Sequence, residues 1–155
     1  MSAIIRVREL LDQNHVKYII IIHSPAFTAQ EIASLSFISG KELAKSVILN
    51  VNGDVVMAVV PASERVDLAK LKTFFGIQDI SLAEESEFRN IFPECKTGAM
   101  PPLGNLYQLK TYISTDLKKN KYITFNAGSH SELIRMKYSC YEKIVQPVEV
   151  SITIN

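Results

Sequence analysis

Two apolar runs, Val47 to Val51 and Val55 to Val60, are joined by Asn52-Gly53. Asn-Gly suits the φ > 0 positions of a two-residue type I′ turn. The pattern therefore predicts a β-hairpin in which Val51 faces Asp54, Leu49 faces Val56, Val47 faces Ala58 and Lys45 faces Val60. Both runs are apolar nearly throughout, as in strands covered on both faces, which places the hairpin mid-sheet.

The other elements follow from the same reading. Ile4, Val7, Leu10 and Leu11 recur at helical spacing behind Ser2, a candidate cap, so a first helix is expected to about Asn14. Tyr18 to Ile22 reads as a buried strand, and Thr28-Ala29-Gln30-Glu31 fits a capping box opening a short helix. After the hairpin, Asp67 caps a helix with Leu68, Leu71, Phe74 and Phe75 inward and Gly76 just past its end. A short strand is expected over Asp79 to Leu82 and a helix over Glu84 to Ile91. Leu106 to Ile113 and Lys121 to Asn126 read as strands with Asp116 in the turn between them. Ser131 is a good cap for a helix from Glu132 to Lys137. Tyr138 to Val145 forms an amphipathic turn or two, and Val148 to Ile154 a final strand. No repeat or linker interrupts the series, so one compact α/β domain over residues 1–155 is expected.

Composition narrows the function classes. A chain of 155 residues with 47% hydrophobic and 21% charged residues can bury a core without disulfides or metal. Seventeen basic against sixteen acidic residues leave a net charge of +1, so no global field recruits polyanions. DNA is not an expected partner, and RNA contact would rest on a local patch. Cys95 and Cys140 lie far apart with no metal-ligand spacing, so no metal and no cofactor is expected. No signal peptide is visible and Ile19 to Ile22 is too short to cross a bilayer, so no membrane association and a cytoplasmic location are expected.

Candidate chemistry gathers at three places. Lys45 sits at the open end of a buried hairpin, where its stem can pack while its ammonium looks into a cleft or simply reaches solvent. Pro93 to Asn105, PECKTGAMPPLGN, holds three prolines and two glycines in thirteen residues, a composition no helix or central strand tolerates. It is either a rigid binding loop or a stiffened connection. Ala127-Gly128-Ser129-His130 is a small-residue turn that lets the backbone approach a ligand, and His130 is either functional or a surface residue closing the turn. His23, ending a strand with no partner in view, reads as structural. No phosphate loop, HExxH or defensible Ser/His/Asp order is present.

The lysine ahead of VILNVNGDVVMAVVPA, together with RVDLAKL, PECKTGAMPPLG and FNAGSH, resembles the YbaK/EbsC family of prolyl-tRNA synthetase-associated editing domains. The likeness runs from Thr28 to the expected helix after His130. It implies a mixed-sheet, barrel-like α/β domain that works in trans as an aminoacyl-tRNA deacylase. Its substrates would be aminoacyl-tRNAs, first tRNA-Pro carrying Ala or Cys, and prolyl-tRNA synthetase would be a candidate partner. By that resemblance Lys45 matches the family's lysine near the aminoacyl ester, and Gly98 to Pro102 match its GxxxP loop. Lys45 and Gly98 are thus the catalytic candidates, with Ala99, Met100, Pro101, Pro102, Gly128 and His130 on the substrate. The rival class is a tRNA- or synthetase-binding module of the same fold without hydrolysis.

Overall fold

A computed structural model describes residues 2–23, 38 and 41–154; the expected helix opening at Thr28 lies outside them. The hairpin is the centre of the molecule. β2 (Leu43–Val51) and β3 (Asp54–Pro61) pair antiparallel in the register expected from the turn, Val51 opposite Asp54 through Lys45 opposite Val60. Asn52 and Gly53 take φ of 52° and 90°, the left-handed pair a type I′ turn requires.

Around the hairpin runs a mixed sheet in the order β1-β8-β7-β2-β3-β6-β9, with β5 also pairing β2. Its other strands are β1 (Tyr18–Ile22), β5 (Ile80–Leu82), β6 (Thr111–Ser114), β7 (Tyr122–Asn126), β8 (Glu132–Lys137) and β9 (Val148–Val150). A separate antiparallel pair joins β4 (Arg65–Val66) to β10 (Thr153–Ile154). The helices are α1 (Ala3–Gln13), α2 (Leu68–Phe75), α3 (Glu85–Phe88), α4 (Thr115–Lys118) and α5 (Tyr138–Val145).

Because side chains alternate along a strand, the hairpin divides two cores. Ala44, Ile48, Met57 and Val59 face one, with Val7 and Leu11 of α1 and Tyr138 and Tyr141 of α5. Leu49, Val51, Ala58 and Val60 face the other, with Leu71 of α2, Tyr112 and Val150. The nearly continuous apolar runs are explained by this double cover. Asp67 caps α2 as expected, its carboxylate accepting from Ala69 and Lys70 amides at 3.0 and 3.3 Å.

Several elements differ from expectation. Glu132–Lys137 is a strand, not a helix: it lies between β1 and β7 and pairs antiparallel with both. Leu133, Ile134 and Met136 are buried in it, and a six-residue run covered on both faces carries no period that separates strand from helix. Among the described residues β1 is an edge strand, and Ile22 is 78% exposed. Phe74 turns outward, 47% exposed, with its ring edge-on to Phe75 at 5.0 Å. The expected strand from Leu106 begins only at Thr111, because Gly104–Tyr107 forms a 3₁₀ turn. Glu84 to Ile91 is helical over Glu85–Phe88 only, with Glu84 and Glu87 closing a capping box. Asp116 lies in the one-turn helix α4. The last strand breaks at Ser151-Ile152, where the Ile152 carbonyl accepts from Asp67 at 2.7 Å. Ser2 stands at the N-cap position of α1 with no side-chain capping bond.

Candidate active site

β2 is flanked on one side by β3 along its length. On the other side β7 pairs only with Leu43 and Ala44, and β5 only with Leu49 to Val51. Lys45, Ser46 and Val47 therefore border a gap with no strand beside them among the described residues. Residues of the proline-rich loop dock there: the Ser46 hydroxyl donates to the Met100 carbonyl at 2.9 Å.

The loop is held from several other directions. Its Lys96 amide donates to the Gly128 carbonyl and the Gly128 amide to the Ala99 carbonyl, both at 2.8 Å, so it lies against the β7–β8 turn much as a strand would. From α5, the buried Tyr141 hydroxyl donates to the Pro102 carbonyl at 2.6 Å. His130 Nε2 lies 2.9 Å from the Thr97 carbonyl. A carbonyl only accepts, so Nε2 carries the proton in this contact and a neutral ring presents Nδ1 as an acceptor.

These ties sort the expected site residues. Ala99, Met100, Pro101 and Pro102 are buried, and Met100 belongs to the core; their side chains found the loop. Gly98 is exposed, with φ of 84°, and a Cβ there would meet His130 Cε1 at 3.5 Å. Ala99 gives its amide to Lys96 at 3.0 Å, whereas the Gly98 amide is not given to any backbone carbonyl among the described residues. Gly128 is buried behind the loop rather than at its tip, and a Cβ there would fall 2.4 Å from Ala3 Cβ. Gly98 and His130 are thus brought together at an exposed tip, with Gly128 beneath them.

Lys45 comes to the same strand from the opposite face. By alternation it points to the side of Val47 and Leu49, while its neighbour Ser46 points to the side of Met100. It is half-buried and its pKa lies below the ordinary lysine value of 10.5, first because burial penalises the ammonium and then because Arg65 adds a like charge. Among the described residues no carboxylate forms an ion pair with it. A half-buried cation beside an exposed arginine is a place where an anion is stabilised.

Sequence reasoning passed over Ser46, a polar residue in an otherwise apolar strand, and Arg6 and Tyr141, whose partners are remote in the chain. Just past β1, the His23 amide donates to the Ser131 carbonyl at 2.9 Å. No cluster of three or more His, Cys, Asp or Glu that could hold a metal occurs among the described residues. No helix among them is long and apolar enough to cross a membrane.

Residues 23–144 match the aminoacyl-tRNA editing domain. The chain belongs to that family. Editing an aminoacyl-tRNA is hydrolysis of its ester, so the enzyme class expected from the sequence stands. Among the relatives of this editing domain, the multifunctional Ser/Thr-tRNA deacylase ProXp-y of Escherichia coli is 26% identical over 147 residues, 92% of this chain and 87% of its own length. The proline–tRNA ligase of Staphylococcus saprophyticus is 33% identical over 101 residues, 65% of this chain, which correspond to 18% of the ligase. A crystal structure proposed as a trans-editing enzyme for prolyl tRNA synthetase superposes with a TM-score of 0.84 at 20% identity, over 100% of this chain and 99% of its own; at that identity the likeness speaks for the fold alone.

Proposed function

We propose that this editing domain hydrolyses the ester of mischarged aminoacyl-tRNA, acting in trans on a tRNA released by a synthetase. The observation that carries the reading is the exposed Gly98, its amide given to no backbone carbonyl among the described residues, on a loop tied to β2 at Ser46, one residue from Lys45. An ester hydrolase needs donors where the oxyanion develops and charge where the substrate's phosphate sits.

In this scheme Lys45, assisted by Arg65, binds the phosphate nearest the 3′ end of the tRNA. The Gly98 amide donates to the carbonyl oxygen as it becomes an oxyanion. Water attacks the carbonyl carbon, the bond to the ribose oxygen breaks, and the departing ribose oxygen takes up the proton that water loses. Free amino acid and uncharged tRNA result. The buried Ala99, Met100, Pro101 and Pro102 fix the loop on which the substrate lies, and His130 Nδ1 can accept from the substrate's ammonium. Deacylation by positioned water requires no side-chain nucleophile, and the chain's own residues supply the electrostatics.

The substrate is proposed from two sources. The family likeness to prolyl-tRNA synthetase-associated domains puts Ala- and Cys-charged tRNA-Pro first. The likeness to a Ser/Thr-tRNA deacylase along most of this chain adds Ser- and Thr-charged tRNAs. Incubating the protein with these four charged tRNAs and measuring release of each amino acid names the substrate. Release of none, with tRNA still bound, would make the non-catalytic binding module the right account.

A further inference from the structure

One side chain of helix α1 reaches both ends of the proline-rich loop. Arg6 Nη1 pairs with Glu94 Oε1 at 2.6 Å, and Arg6 Nη2 donates to the Leu106 carbonyl at 2.6 Å. Glu94 and Leu106 bracket the segment that carries Gly98. The guanidinium carbon stands 4.8 Å from the centre of the Tyr107 ring, and the Tyr107 hydroxyl donates to the same Glu94 oxygen at 2.9 Å. Arg6 is therefore stacked, paired and hydrogen-bonded at once, a combination that needs a planar fork and that a lysine cannot reproduce.

One turn earlier, α1 touches the loop's support. Ala3 packs on Gly128, and Gly128 bonds to Lys96 and Ala99 on either side of Gly98. Between these two contacts a cavity of about 280 Å³ opens, lined by Ala3, Glu94, Cys95, Lys96, Gly128 and Ser129 among others. Beside these two contacts, Val7 and Leu11 of α1 share a core with the loop's Met100 and Leu103. Glu94 is set up for this tie: burial works against its ionisation, but its own backbone amide, the Tyr107 hydroxyl and Arg6 together bring its pKa below the usual carboxylate value.

We propose that Arg6 is a positioning residue for deacylation, clamping the two ends of the loop so that the Gly98 amide stands where the oxyanion develops. This rests on the loop's part in the proposed hydrolysis. It adds a demand that no substrate contact imposes: a loss on the far side of the loop should slow the chemical step without weakening the hold on tRNA, because the phosphate-binding cations lie on the other face of β2. Misplacement of a catalytic group by about 1 Å costs roughly 100-fold in rate.

The test compares wild type with Arg6→Gln and Glu94→Gln by steady-state deacylation and by hydrogen exchange of the loop's bonded Lys96 and Ala99 amides. The clamp predicts kcat lowered about 10- to 100-fold with KM for charged tRNA within about twofold. It also predicts faster exchange in the loop while the β2–β3 amides exchange as before. An unchanged kcat in variants of an active wild type overturns the inference, as does faster exchange in the hairpin equal to that in the loop. If wild type releases no amino acid, the proposed function fails instead. The exchange measurement then still decides the clamp, and unchanged loop exchange in Arg6→Gln overturns it.

Discussion

Gly98 and Gly128 share a left-handed backbone, with φ of 84° and 97°, but their surroundings separate what an added methyl would do. At either position alanine meets backbone strain of about 1–2 kcal/mol. At Gly98 the new Cβ would lie 3.5 Å from His130 Cε1, an ordinary contact, so strain is the whole cost. At Gly128 it would fall 2.4 Å from Ala3 Cβ, and Ala3 is buried at the start of α1, so helix or turn must shift. Overpacking of that kind costs a further 1–3 kcal/mol or so. In a chain of this size each kcal/mol lowers Tm by about 2–4 °C. Gly128→Ala should therefore melt roughly 2–12 °C below Gly98→Ala. Scanning calorimetry of the two variants beside wild type measures the difference. Equal melting temperatures would refute the reasoning, since they would mean that α1 does not bear on the β7–β8 turn.

The remaining predictions concern the loop's anchor and the lysine. Tyr141→Phe removes the hydroxyl that donates to the Pro102 carbonyl at 2.6 Å inside the core, leaving that acceptor unmatched; urea denaturation should show a loss of about 1–3 kcal/mol. The Lys45 pKa lies below 10.5 through burial and then Arg65, and an anion binds the protonated form. Affinity for uncharged tRNA should therefore fall as pH rises through that lowered pKa, earlier than for an ordinary lysine, and Lys45→Arg should move the loss to higher pH. A fluorescence-anisotropy titration across alkaline pH follows both.

The hairpin could be read from the chain because its information is local: Asn52-Gly53 fixes the turn, the turn fixes the register, and the register places Lys45 opposite Val60. Covered strands without such a turn are harder. Glu132 to Lys137 has adjacent apolar residues at Leu133 and Ile134, both buried, because β1 and β7 enclose it and cores lie on both faces. Its capping signal at Ser131 then pointed the wrong way. The turn at Gly104–Tyr107 was hidden for a related reason, since its last two residues, Leu106 and Tyr107, have the composition of a strand end.

Within the candidate site, the residues that the pattern exposes are those set apart from their surroundings: a charge on an apolar strand, and glycine and proline crowded into one loop. Ser46, Tyr141 and Arg6 are ordinary in their own neighbourhoods. Their places follow from partners 54, 39 and 88 positions away, and no local spacing encodes those distances. Ala99 and Met100, expected against the substrate, are buried beside the exposed Gly98.

The most direct measurement is single-turnover deacylation of the preferred charged tRNA by wild type and by Lys45→Ala, with circular dichroism showing that both fold. Loss of one charge-assisted contact to a phosphate, about 1.5–3 kcal/mol, predicts a rate constant at subsaturating enzyme lower by roughly 10- to 100-fold. Equal rates for the two folded proteins would contradict the place given to Lys45 and, with it, the proposed course of the reaction.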